Sequence, residues 1–131
     1  MHPTLWKKYG NNARWFVSDW QINAAEAIRA YFGNKPMYLN NWFWGGPRRN
    51  RGTRLPNTTI GATYSQHKFK CAIDFNLKDI TPQTIHNTIL SHQQYFMGVG
   101  ITTIEAIEDT PTWVHVDCRH TGLDSILIVN G

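Results

Sequence analysis

The sequence predicts an α+β fold, with helices packed on a mostly antiparallel sheet. Two segments carry apolar residues at helical spacing, several short runs have strand length and strand composition, and turn-forming residues separate two of those runs as in a hairpin. The 131 residues suit one domain, 1–131, long enough to bury roughly 65–70% of its unfolded surface. Hydrophobic residues at 41% and charged residues at 17% exclude a disordered tail and a coiled coil.

Taken in order, a turn is expected over 12–17, and Ser18 and Asp19 are candidate N-caps of a first helix. In that helix Trp20, Ile22, Ala24, Ala25, Ile28, Ala30 and Tyr31 recur at helical spacing until Gly33 and Pro36 end it. A strand candidate covers 37–42. The stretch 44–59, rich in Gly, Pro, Arg and Asn, reads as a long loop, and long loops in small domains usually carry function. After a strand candidate at 70–76, Thr81-Pro82 announces a second helix, because proline at the first helical position gives up an N–H that would have no partner anyway. Ile85, Ile89, Leu90 and Phe96 supply its buried face, and Gly98 or Gly100 its stop. Strands are expected at 100–107, 112–119 and 125–129, with 108–111 as a hairpin connection between the first two.

Lys plus Arg exceed Asp plus Glu by 13 to 9, and Arg48, Arg49, Arg51 and Arg54 crowd into the long loop. Such a cluster suits nucleic acid, an anionic cell-wall polymer or a carboxylate-bearing substrate. No window of eighteen apolar residues predicts a membrane span, and residues 1–10 lack the apolar core of a secretory signal. Cys71 and Cys118 cannot build a disulfide scaffold, lack the CxxC spacing of a structural zinc site, and read as two reduced, half-buried thiols. Six tryptophans exceed the needs of one small core, so some are expected to line a groove.

Two segments point to chemistry. His67 stands seven residues before Asp74, which lies inside the apolar run Cys71-Ala72-Ile73-Asp74-Phe75. A carboxylate in a buried strand is costly unless paired or bound to a cation; a strand-end Asp facing water, or one paired to an arginine, is the plainer alternative. In Trp113-Val114-His115-Val116-Asp117-Cys118, period-two alternation puts Trp113, His115 and Asp117 on one face and the apolar residues on the other. A lone strand histidine is commonly structural, but the two segments together offer two imidazoles and a carboxylate. That is the pattern of a catalytic zinc with three protein ligands and an open fourth position. His86 and His92, six apart on the second helix, do not share a face and read as surface residues.

Ser65-x-His67 with Asp74, followed by Trp113-Val114-His115-Val116-Asp117, resembles the D-Ala-D-Ala carboxypeptidase family of zinc peptidases, and most of all its small phage-type, endolysin-like members. Asn40-Asn41-Trp42-Phe43-Trp44-Gly45-Gly46, Arg51-Gly52-x-Arg54, Gly100-Ile101-Thr102-Thr103-Ile104-Glu105 and Thr110-Pro111-Thr112-Trp113 look like the same group, so the likeness spans about 42–119. The resemblance implies the hedgehog/DD-peptidase fold, one zinc ion held by His67, Asp74 and His115, a supporting Ser65, and Arg54 binding a carboxylate or carbonyl of a peptide stem. Trp113 is expected beside the substrate.

Two positions depart from the family pattern. Lys70 stands where the motif has glycine, at a cost of about 1 kcal/mol if that residue needs a positive φ. Thr112 stands where the family has its catalytic glutamate, and a threonine cannot take the proton. Glu105 is the first choice to replace it, ahead of Asp117, which can instead orient an imidazole, and Glu108, which reads as solvated. The function expected is zinc-dependent hydrolysis of peptide bonds in peptidoglycan, by an endolysin-type endopeptidase or a D-Ala-D-Ala carboxypeptidase. The alternatives are a metal-bound but inactive cell-wall-binding module and, more remotely, a single-stranded nucleic-acid surface on the arginine loop. The expected partner is the peptidoglycan stem peptide, with no nucleic acid and no membrane, and the chain is expected to be a monomer. It would wait in the host cytoplasm until released to the wall, or travel with the virion.

Overall fold

The computed structural model describes residues 3–39, 45–48 and 51–131. Its order is α1 (Pro3–Tyr9), a 3-10 helix (Gly10–Phe16), α2 (Asp19–Tyr31), β1 (Met37–Tyr38), a 3-10 turn (Gln66–Phe69), β2 (Ala72–Leu77), α3 (Pro82–Ser91), α4 (Gln93–Gly98), β3 (Thr103–Glu105), β4 (Val114–Asp117) and β5 (Leu127–Val129). Among the described residues, five strands form one mixed sheet in the order β1-β2-β4-β3-β5, with only β3 and β5 parallel. The α+β class and the mostly antiparallel sheet therefore agree with the sequence. β3 and β4 pair antiparallel across the expected hairpin connection. Among the described residues, no helix is long and apolar enough to cross a membrane.

One face of the sheet makes the core. Ile73 and Phe75 of β2, Val114 and Val116 of β4 and Ile104 of β3 meet Ala24 and Ile28 of α2, Ile85 and Ile89 of α3, and Phe96 of α4. Because strand side chains alternate, the residues between these, Asp74 and His115 among them, point to the opposite face.

α2 starts as expected, with Ser18 and Gln21 closing a reciprocal capping box. Its buried face differs: Gln21 is buried with Ala24, Ala25 and Ile28, whereas Ile22 is 52% exposed. Gln21 goes inside because every polar atom is used. Its amide donates to the Ala72 carbonyl at 3.0 Å, and its oxygen accepts from the Ser18 N–H and the Thr53 hydroxyl.

The expected second helix is two. α3 begins at Pro82 behind the Thr81 cap, but His92 leaves helical dihedrals at φ −122°, ψ 35°, and α4 restarts so that Phe96 packs into the core. His86, expected at the surface, is buried on α3. α1 was not foreseen, and its single buried residue, Leu5, explains why no periodic stripe announces it. Positions 40–44, with Trp42, Phe43 and Trp44, and Arg49 in the loop lie outside the described residues.

Candidate metal centre

β2 and β4 are neighbours, and their register sets Asp74 directly opposite His115. His67 arrives from the 3-10 turn ahead of β2. That turn ends at Lys70 with φ 61° and ψ 27°, a left-handed residue that reverses the chain into the strand. The positive φ suspected from the missing glycine is thus present, carried by a lysine whose carbonyl accepts from the Ser18 hydroxyl at 2.7 Å.

The three side chains converge. His67 Nε2 lies 3.2 Å and His115 Nδ1 2.7 Å from the same Asp74 oxygen, and all three residues are buried. Their donor atoms lie within 4.8 Å of one another, and the group can hold a metal ion. The hydrogen-bond arithmetic admits a cation or an added proton. His67 Nδ1 is 2.9 Å from the Gly52 carbonyl, which can only accept, so a neutral His67 turns its lone pair toward a carboxylate oxygen. His115 likewise has a carboxylate at each nitrogen, Asp74 at Nδ1 and Asp117 at Nε2. Each ring therefore has room for an extra proton or a cation facing a carboxylate.

The electrostatics follow. Burial pushes the Asp74 carboxyl up, but the hydrogen bonds to His115 and His67 outweigh it and hold the group well below the usual carboxylate range. Burial pushes His115 down, and its bonds to Asp117 and Asp74 reverse this, raising it to about 9. Burial also works to raise Asp117, while His115 and Arg119 bring it to about 2.

Backbone from the arginine loop is stitched around the group. Asp74 N–H donates to the Arg51 carbonyl at 2.7 Å, and Arg54 N–H donates to the His67 carbonyl at 3.0 Å. The Arg54 guanidinium stands 3.7 Å from the second Asp74 oxygen. The Arg51 guanidinium lies over the Trp113 ring, 5.6 Å from its centroid. Above His67, Asp74 and His115 a cleft of about 370 Å³ opens, walled by Arg54, Tyr64, Ser65, Glu105 and Trp113. Glu105 Oε2 is 3.8 Å from His115 Nδ1, and burial raises its carboxyl above the ordinary range.

The expected residues His67, Asp74, His115, Glu105, Arg54, Ser65 and Trp113 therefore share one cleft. Asp117 lies elsewhere: wholly buried behind His115, it is gripped by Arg119 through Nε at 2.9 Å and by the Arg119 backbone N–H at 3.1 Å. That placement suits orientation of the imidazole rather than contact with substrate. Thr112 is exposed and outside the cleft wall, and Glu108 is exposed in the connection. Sequence reasoning missed Arg119, although it continues the alternating face of Trp113, His115 and Asp117. It also missed the Gly52 carbonyl, which no side-chain pattern can announce. Compared with protein-family models, with the curated proteins and with the solved structures, the chain finds no match in any of the three.

Proposed function

We propose that this chain is a zinc-dependent peptidase acting on the stem peptides of bacterial peptidoglycan, with His67, Asp74 and His115 as the metal ligands. The observation that carries the reading is the convergence of two imidazoles on one buried carboxylate at the floor of an open cleft that also holds Glu105. Two nitrogens and one oxygen match the ligand preference of zinc, and three protein ligands would leave a position for water. A zinc ion so bound lowers the pKa of a bound water and polarises a carbonyl. Glu105, raised by burial, is suited to take a proton at neutral pH and return it to the leaving amine. Arg54 offers a planar pair of donors to a peptide carbonyl or carboxylate, and Trp113 and Tyr64 stand in the cleft wall beside it. The resemblance in sequence to the D-Ala-D-Ala carboxypeptidases and phage endolysins selects the cell-wall peptide as substrate, in the hedgehog/DD-peptidase fold.

Metal content by plasma mass spectrometry and digestion of purified sacculi test this. The expected result is about one zinc per chain, lost in His115→Ala, with new amines released from sacculi. In Glu105→Gln the metal is expected to remain while cleavage falls by about 10²–10⁴-fold. Unchanged cleavage would remove Glu105 from the reaction. Zinc-dependent binding to sacculi with no new amines would instead assign the centre to a non-catalytic cell-wall module, the reading that Thr112 in the place of the family's glutamate favours.

A further inference from the structure

We propose that Cys71 and Cys118 form a modification site, a thiol pair that closes into a reversible disulfide clamping β2 to β4 when a small-molecule disulfide is the oxidant. Cys71 immediately precedes β2 and Cys118 immediately follows β4. The register that pairs Ala72 with Asp117 continues one step outward, and the Cys118 N–H donates to the Cys71 carbonyl at 3.0 Å. Residues opposed across an antiparallel ladder have Cα atoms about 4.5–5.5 Å apart and side chains on one face, inside the range of about 4.4–6.8 Å that disulfides span. Both thiols are free and half-buried, so a small oxidant can reach them. The Cys118 thiol interacts with the Cys71 side chain, and the Cys71 thiol donates to the Phe69 carbonyl at 3.4 Å. By strand alternation both lie on the face away from Asp74 and His115, so the metal centre makes no use of them.

The exchange balances. Cys71 attacks oxidised glutathione, expelling one glutathione thiolate and leaving a mixed disulfide. Cys118 then gives its proton to solvent, attacks the Cys71 sulfur and expels the second glutathione. Two protein thiols are oxidised and one small disulfide is reduced to two thiols. Burial and the Cys71 side chain push the Cys118 thiol up to about 12, which makes this second step the slow one and speeds it as pH rises.

The full chain, first reduced and then held in a glutathione redox series, is followed by intact mass, by thiol titration after denaturation and by calorimetry. The expected result is the loss of both thiols and of two hydrogen atoms in mass, with no glutathione retained. The melting temperature should rise by about 10 °C, as for a bond closing a loop of about 50 residues, and fall again on reduction. Cys118→Ser is expected to stop at one retained glutathione on Cys71. Lasting glutathione adducts on the wild type, disulfide-linked dimers, or two thiols that still titrate in fully oxidised buffer overturn the proposal, whatever the metal centre does.

Discussion

Replacing Arg119 by alanine leaves the Asp117 carboxylate wholly buried with fewer donors, and Asp117 is what holds His115 Nε2. A ligand imidazole whose far nitrogen loses its orienting partner binds metal more weakly, so Arg119→Ala and Asp117→Asn are both expected to lose about 10–100-fold in zinc affinity. Competition with a chromogenic chelator measures this, and an unchanged affinity would take the pair out of the metal centre. His115 also makes binding a proton exchange. Raised to about 9 in the metal-free protein, its ring must lose a proton before Nδ1 can donate a lone pair. Below about pH 9 the apparent affinity is expected to weaken about tenfold per pH unit, with about one proton released per ion from this residue. Calorimetric titration in buffers of different ionisation enthalpy reads that number directly.

At the scale of elements, the turn from Gln66 to Lys70 decides where His67 goes. Lys70 holds φ 61°, a region that costs a residue with a Cβ about 1–2 kcal/mol, partly offset by its ammonium 5.4 Å from the Phe16 ring centroid. Lys70→Gly is therefore expected to stabilise the chain by up to about 1 kcal/mol in urea unfolding without moving the metal affinity, and a destabilised variant would contradict this account of the turn. This turn also marks how far the sequence could be read. The strand positions of Asp74 and His115, the Ser18 cap and the Pro82 start were legible because alternation and capping are local. His67 was legible only through its spacing to Asp74. The break at His92 was not, because no proline or glycine marks it and the gain comes from seating Phe96 in a core formed by distant strands. Gln21 was hidden for the same reason, since its partner at Ala72 is fifty-one positions away. The specific hedgehog/DD-peptidase topology stays with the resemblance, while the α+β class stands on the strands and helices themselves.

For the whole molecule, metal and proton act on stability in opposite senses. Because the His115 pKa is raised on folding, the metal-free chain has the full benefit of that charge below about pH 6.5 and loses it as pH climbs through about 9. The metal-loaded chain gains affinity over the same interval. The difference in melting temperature between zinc-loaded and chelated protein is therefore expected to widen from about pH 6 to about pH 9, and scanning calorimetry showing a constant gap would exclude His115 as a ligand. The pairing of Asp74 with His115 across two adjacent strands has a consequence for folding fidelity as well. A strand slipped by one residue turns every side chain to the other face, so a misaligned β4 would send His115 into the apolar layer and present Val114 or Val116 to Asp74. Only the correctly aligned sheet can capture an ion. Metal present while the chain folds would act as a proofreader, draining misaligned intermediates toward the one alignment that binds.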